Sequence, residues 1–190
     1  MLRIFSLLVA SLVVASGVAT AAEGTRVPEV RPFAGAFLPV GDQRNVLKDA
    51  ALVGGQVALE VQPALHLVGS FAWSPNENRP MLARNTVDLY QYDVGAEGFH
   101  TTTLSNDWTF KPFIGLGVGG RTYHLRDVAV KAQTDPVGYG SLGSEFQLSR
   151  IALRLEARDY VSRFKGITGG NAAKTRSDVG VTAGFAYHIW

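Results

Sequence analysis

The chain has 190 residues, and its composition excludes several classes of protein before any pattern is considered. Its 18 lysines and arginines against 16 acidic residues leave it nearly neutral, so the sequence does not favour a nucleic-acid partner. Cysteine is absent, which excludes a disulfide framework and a thiolate metal site.

The N-terminus has the three parts of a secretory signal peptide. A positive start, Met1-Leu2-Arg3, precedes an apolar run from Ile4 to Val14, and Ala19-Thr20-Ala21 forms a cleavage signal. We therefore expect residues 1–22 to be a signal peptide and residues 23–190 to form one exported domain. After the signal, no apolar stretch approaches the ~20 residues of a spanning helix, so a membrane form requires a closed β-barrel.

Eight segments alternate apolar residues with small or polar ones, which is the period-two pattern of strands with two different faces. In chain order they are Glu29–Pro39, Leu52–Gln62, Leu65–Ser74, Val87–Phe99, Trp108–Tyr123, Val137–Leu148, Ile151–Val161 and Asp178–Trp190. The connections after the first, third, fifth and seventh are long and polar, and the others are shorter. We expect Pro75–Asn85 to be a loop and one helical turn near Asn45–Ala51.

The last segment has the clearest alternation. Its apolar face is opposite a small or polar face of Gly180, Thr182, Gly184, Ala186 and His188. An unpaired apolar edge invites aggregation, and pairing with the first strand would remove that edge by closing the sheet. The predicted closing-strand residues are Val179, Val181, Phe185, Tyr187, Ile189 and Trp190.

These features predict an all-β fold: an eight-stranded antiparallel up-and-down transmembrane β-barrel. Strands of about 10 residues match a hydrocarbon core crossed at a tilt, and long loops on one side with short turns on the other are typical of outer-membrane barrels. Aromatic residues near the strand ends are expected to form two interfacial bands. These residues are Phe37, Trp73 and Tyr90 at one end, and Phe33, Trp108, Phe110, Phe146, Tyr187 and Trp190 at the other.

The register that keeps charges out of lipid places a charged set inside the barrel. This predicted lumen network is Glu60, Glu97, Glu145, Glu156, Arg121, Arg154 and Arg158. An eight-stranded barrel is just wide enough to be filled by side chains, and buried charges need partners. We predict a plug of arginine–carboxylate pairs near the short turns, in which Arg154 and Arg158 bridge the four glutamates.

No catalytic, cofactor or metal site is predicted, and the chain is not expected to be an enzyme. The segment Gly115–Gly120 formally satisfies G-x-G-x-x-G, but period two continues after it where a dinucleotide site needs a helix. The histidines at 66, 100, 124 and 188 lack metal-ligand spacing. His124 with Asp127 is the best acid–base pair available, and a solvated loop explains it.

The signal peptide, the entry strand FAGAFLP, the strand KPFIGLGVGG and the aromatic-ended last strand resemble the small OmpA-like outer-membrane β-barrels of Gram-negative bacteria, barrel domain only. The resemblance implies a monomer in the bacterial outer membrane with a structural or surface-interaction role. The implied partners are membrane lipid, lipopolysaccharide and the barrel assembly machinery. The peptidoglycan-binding domain of larger family members is not expected here.

Two other classes of function remain open at this point. A lipocalin-like periplasmic barrel that binds a small apolar ligand requires the apolar faces to line the lumen. A narrow channel or an outer-membrane lipid enzyme requires a path or a site among the inward polar residues.

Overall fold

The computed structural model describes residues 28–45, 47–77, 86–104, 108–126, 132–164 and 174–188, and the predicted signal peptide lies outside them. The long strands are β1 (Glu29–Pro39), β2 (Ala50–Gln62), β3 (Leu65–Glu77), β4 (Thr86–Phe99), β5 (Trp108–Leu125), β6 (Gln133–Leu148), β7 (Ile151–Phe164) and β8 (Lys174–His188). A 3-10 helix, Gly41–Asn45, follows β1, and a two-residue strand, Thr102–Thr103, precedes β5. No helix in this part of the chain is long and apolar enough to cross a membrane.

The sheet closes on itself. Each long strand is antiparallel to the next, and β8 returns to pair with β1 from Glu29↔His188 to Pro39↔Asp178. This confirms the predicted eight-stranded antiparallel barrel. The connections β2–β3, β4–β5 and β6–β7 meet at one end, which we call the turn end. The connections β1–β2, β3–β4, β5–β6 and β7–β8 meet at the other, which we call the loop end.

Large apolar side chains cover the outside of the barrel between its two ends. Ile114 is 73% exposed, Leu116 71% and Val94 65%, although all three lie in the middle of strands. We call this outer surface the apolar belt; it comprises Val53, Val57, Leu67, Phe71, Val94, Ile114, Leu116, Val118, Leu142, Leu153, Leu155, Val181 and Phe185. The faces therefore have the predicted orientation, opposite to the one that the lipocalin-like alternative requires.

The first strand differs from the prediction. Phe33 and Phe37 point into the lumen, where Phe37 is 1% exposed, so the prediction that they belong to interfacial bands is wrong. The reason is that they share a face with Glu29 and Arg31, whose charges need the lumen, while the opposite face is small and apolar. Other aromatic residues do face outward near the turn end, including Trp108 and Tyr187; Ile189 and Trp190 lie outside the described residues.

Several strands extend further toward the loop end than the apolar period indicated. Residues 75–77 were expected in a loop but continue β3, since its ladder with β4 runs to Glu77↔Thr86. Pro75 is tolerated because the β2 ladder ends at Val53↔Trp73, so β3 has a partner on one side only at that height. The predicted helical turn at Asn45–Ala51 is instead the 3-10 helix Gly41–Asn45.

The β1–β2 connection packs an apolar side chain into the loop end of the lumen. Leu47 is completely buried, and the backbone nitrogen of Lys48 donates to the carbonyl of Glu77 at 3.2 Å. We call the surrounding group the mouth cluster; it comprises Phe37, Leu47, Leu52, Ala72, Val87, Leu89 and Tyr123. A mainly apolar cluster therefore lies in the loop end of the lumen.

Replacing Leu47 with alanine is expected to lower the free energy of unfolding by about 2 kcal/mol, because it leaves a cavity in the mouth cluster. Val40→Ala in the same connection is the control, since Val40 is 44% exposed and its loss should cost under ~0.5 kcal/mol. Urea unfolding of the detergent-folded barrel measures both. Equal effects of the two changes would show that Leu47 does not seal the mouth.

Candidate functional site in the barrel lumen

Among the described residues, four arginines from three strands point into the lumen and are buried. Arg31 on β1 is 1% exposed, Arg121 on β5 is 0% exposed, and Arg154 and Arg158 on β7 are 4% and 5% exposed. The period-two geometry places Arg154 and Arg158 on one wall with Glu156 between them. Buried carboxylates accompany these arginines: Glu29, Asp93, Glu97, Glu145, Glu156 and Asp178.

Arg154 is the centre of the network near the turn end. Its Nη1 lies 2.5 Å from Oε1 of Glu145, and its Nη2 lies 2.6 Å from Oε1 of Glu97 and 3.1 Å from Oε2 of Glu156. The guanidinium also lies over the ring of Phe113, with Cζ 3.7 Å from the ring centroid. One buried cation thus joins carboxylates from β4, β6 and β7 across the lumen.

Arg31 on β1 completes this network. It was not among the residues predicted from the sequence. Its Nε is 2.7 Å from Oε1 of Glu29, and its Nη1 is 2.7 Å from Oε2 of Glu97. Its Nη2 lies 3.5 Å from Glu145 and 3.1 Å from Nδ1 of His66. Because a guanidinium only donates, Nδ1 of His66 is the acceptor in this contact.

Arg158 extends the network toward the loop end. Its Nε donates to Oε1 of Glu156, and its Nη1 lies 2.9 Å from Oδ1 of Asp93. Asp93 also accepts from the hydroxyl of Ser70 at 2.5 Å. The guanidinium lies 4.4 Å from the centroid of the Tyr139 ring. The same glutamate therefore connects Arg154 and Arg158 along β7.

Arg121 lies apart from this network, nearer the mouth cluster. Its Nη1 is 2.5 Å from Oδ2 of Asp178, and its Nη2 donates to Oε1 of Gln91 at 2.9 Å. Its Cζ lies 5.1 Å from the ring centroids of both Phe37 and Tyr160. Asp178 at the loop-end part of β8 was not predicted as its partner, because their separation in sequence gives no signal.

The structure brings together most of the predicted network residues but not all. Glu97, Glu145, Glu156, Arg154 and Arg158 meet near the turn end. Glu60 has the predicted inward parity but is exposed, because β2 ends two residues later at the turn to β3. Glu29 and Arg31 of β1 belong to the network, although they were not predicted.

Glycines on the inward face of β5 make room for these side chains. A Cβ at Gly117 would lie 2.5 Å from the Tyr139 ring, and one at Gly119 would lie 2.6 Å from Cβ of Asp93. The space left beside Arg31 and Gln56 is about 10 Å³, roughly the room for one water molecule. The G-x-G-x-x-G stretch thus lies in a strand, where it accommodates a filled lumen.

The chemistry of this site is that of paired charges. Within the described ranges, no group of three His, Asp or Glu side chains is arranged to hold a metal ion. The carboxylates accept from arginines, and an arginine in a protein does not release its proton. Such a network stabilises a unique packing once formed and is costly to break.

No family model matches this sequence, and no curated protein is significantly similar to it. Solved structures are similar in fold. Neisserial surface protein A is 13% identical with a TM-score of 0.66, and the match covers 85% of this chain and 97% of that one. OprG from Pseudomonas aeruginosa is 15% identical with a TM-score of 0.58, covering 86% and 96%. The N-terminal β-barrel domain of Pseudomonas aeruginosa OprF is 12% identical with a TM-score of 0.52, covering 87% and 100%.

These likenesses extend over nearly the whole of each compared barrel, and they confirm the resemblance at the level of the fold. At identities of 12–15%, the similarity shows a shared architecture but does not assign the activity of any of these proteins to this chain. The chain has the fold of the small eight-stranded outer-membrane β-barrels.

Proposed function

We propose that this protein is a monomeric β-barrel of the bacterial outer membrane, with a structural or surface-interaction role, a lumen plugged by arginine–carboxylate pairs, and no catalytic centre. The proposal rests on the two faces of the barrel wall, which are reversed relative to those of a soluble protein. The apolar belt covers the outside of the barrel, while Arg31, Arg154 and Arg158 are buried within it.

Energetics support a lipid environment for the apolar belt. In water, a continuous ring of exposed Leu, Ile, Val and Phe would far exceed the apolar patches that monomeric soluble proteins carry. In a bilayer, an arginine on the lipid face costs about 2–4 kcal/mol at the midplane, whereas inside the barrel it finds carboxylate partners. The distribution of charge therefore favours insertion in this orientation.

Two layers oppose conduction through the lumen. The mouth cluster is apolar and closes the loop end, and the network around Arg154 crosses the barrel nearer the turn end. Ions would have to displace buried, paired charges to pass. This arrangement supports a plug over the narrow-channel alternative.

Cell fractionation tests the location. We expect the protein in the outer-membrane fraction, with gel migration that changes on heating because a folded barrel resists detergent at low temperature. Recovery as a soluble periplasmic protein would contradict the membrane assignment.

Planar-bilayer recording tests the plug separately. We expect wild-type protein to give no discrete conductance steps, because its charges are paired and its mouth is covered. Regular steps of uniform size, seen with protein that migrates as folded, would favour the channel alternative.

The proposed partners follow from the proposed position of the barrel in the outer membrane. The apolar belt would contact membrane lipid, and lipopolysaccharide would meet the loop end. The barrel assembly machinery would engage the closing strand, whose residues Val181, Phe185 and Tyr187 face outward. Depletion of that machinery should leave the protein in its unfolded, heat-insensitive form; unchanged folding would remove it as a partner.

A further inference from the structure

The outer wall formed by β4, β5 and β6 changes character in steps toward the loop end. Val94, Val118 and Gly138 form an apolar rung. Two residues further toward the loop end, Tyr92, Gly120 and Pro136 form the next rung. Tyr90, Thr122 and Thr134 form the rung after it, and Asp88 and His124 form the following rung on β4 and β5. The wall therefore passes from apolar to hydroxyl-bearing to charged in the order of a bilayer leaflet and its headgroups.

The hydroxyl groups of this wall are joined across three strands. The hydroxyls of Thr122 and Thr134 lie 2.8 Å apart, and that of Tyr92 lies 3.5 Å from Thr122. Gly120 lets the Tyr92 ring lie across β5, since a Cβ there would be 2.7 Å from the ring. Thr134 and Tyr92 are exposed. Adjacent exposed hydroxyls of this kind suit the hydroxyls of a sugar.

Nearer the loop end on the same wall, the carboxylate of Asp88 binds the guanidinium of Arg126. Nε and Nη2 of Arg126 donate to the two oxygens of Asp88 at 2.6 and 2.8 Å, and Nε1 of Trp73 donates to Asp88 at 3.0 Å. The backbone nitrogen of Arg126 donates to the carbonyl of Thr86 at 3.1 Å. Asp88 is 4% exposed, whereas the Arg126 side chain remains 51% exposed. The carboxylate thus orients a cation that solvent and ligands can reach.

The opposite wall has a different charge near the loop end. On β7, Asp159 is exposed and accepts from the hydroxyl of Ser177 on β8. A phosphate would be repelled by this carboxylate and attracted to Arg126. Among the described residues, this charge pattern favours an anionic headgroup on the β4–β6 wall over the wall at Asp159.

We propose that the outer row, consisting of Tyr92, Thr122, Thr134, His124 and Arg126, binds the phosphorylated sugar headgroup of an outer-leaflet glycolipid. The inference rests on the proposed membrane location and names the lipid chemistry that this wall selects. Arg126 contacts the phosphate, Asp88 positions its guanidinium, and the threonine hydroxyls contact the sugar. The acyl chains lie on the apolar belt, nearer the turn end, at Val94 and Val118.

The test measures the unfolding midpoint of the barrel in phosphatidylcholine nanodiscs titrated with diphosphoryl lipid A, with dephosphorylated lipid A, or with phosphatidylglycerol. We expect diphosphoryl lipid A to stabilise the wild type at the lowest mole fraction. Arg126→Gln should weaken this apparent affinity about fivefold, the effect of one arginine at an anionic surface. Arg44→Gln, at an exposed arginine of the same end, should leave it unchanged. Inorganic phosphate should not compete at matched phosphate concentration.

Two further double variants separate a loss of lipid binding from a loss of folding, and the phosphate contact from the sugar contact. Asp88→Asn with Arg126→Gln removes both charges, so it should fold normally and still show the loss. Thr122→Val with Thr134→Val should reduce the preference for lipid A over phosphatidylglycerol. Equal affinities of Arg126→Gln and Arg44→Gln would overturn the inference, as would equal binding of the phosphorylated and dephosphorylated lipid. In either case, outer-membrane fractionation of the folded variant would leave the proposed function standing.

Discussion

Replacement of Arg154 by alanine is expected to lower the free energy of unfolding by about 3–5 kcal/mol, the cost of breaking a buried ion pair from one side. The change leaves Glu97, Glu145 and Glu156 buried with fewer cations between them. It also removes the cation stacked on Phe113. The expected loss is therefore larger than that of any exposed charge in the barrel.

Denaturant unfolding in detergent or nanodiscs measures this loss, with Arg150→Ala as the control. Arg150 lies in the exposed turn before β7 and should cost under ~0.5 kcal/mol. Adding Glu145→Gln to Arg154→Ala should recover part of the stability, because it removes one uncompensated negative charge. A near-neutral Arg154→Ala would show that the buried network does not hold the lumen together.

Gly35→Ala is expected to prevent the barrel from closing normally. Gly35 pairs with Thr182 at the seam between β1 and β8, where a Cβ would lie 1.9 Å from the carbonyl oxygen of Val181 and 2.7 Å from Cα of Thr182. Both obstacles are backbone atoms, so the strands themselves must separate. We expect a destabilisation of about 3 kcal/mol, the upper part of the range for overpacking.

The matched control is Gly140→Ala, because a Cβ at this outward glycine meets nothing within 4 Å. The folded fraction, measured by heat-modifiable migration after refolding, should fall for Gly35→Ala and stay at the wild-type level for Gly140→Ala. Equal folded fractions would mean that the seam has more room than its geometry indicates.

Period-two alternation predicted the strands and, except in β1, the direction of their faces, because one face meets an apolar surrounding and the other a polar lumen. Strand β4 illustrates the physical argument. Its apolar residues alone do not define a register, but keeping Asp93 and Glu97 out of lipid placed Tyr92 and Val94 outside, where the structure has them.

The first strand shows that charged residues decide the direction of a face. The large aromatics Phe33 and Phe37 suggested a lipid-facing side, yet Glu29 and Arg31 on the same parity have the stronger demand for the lumen. The charges of this strand therefore indicate its lumen side, from which Arg31 contacts Glu97 and Glu145. An aromatic ring is stable in lipid or in a packed interior, whereas a charge is not stable in lipid.

The strand ends and some of the ion-pair partners could not be predicted from the sequence. Hydrogen bonds of the ladder carry β6 back to Gln133 and β8 back to Lys174, although neither extension has an apolar period. Partners such as Arg121 and Asp178 are brought together by the stagger of neighbouring strands, which the alternation of side chains does not define. Parity predicts whether a side chain faces the lumen or the lipid, whereas the stagger of the strands decides which partners it meets.

The most direct test of the central claim is the surroundings of the apolar belt in a bilayer. The absence of cysteine allows single nitroxide labels at Ile114, Leu116 and Val118, with Arg44 as an exposed reference. In lipid vesicles, labels at the three belt positions should collide with dissolved oxygen and be shielded from a water-soluble nickel chelate, while the label at Arg44 should show the reverse. Free access of the nickel chelate to the belt positions in the folded protein would contradict a membrane-spanning barrel.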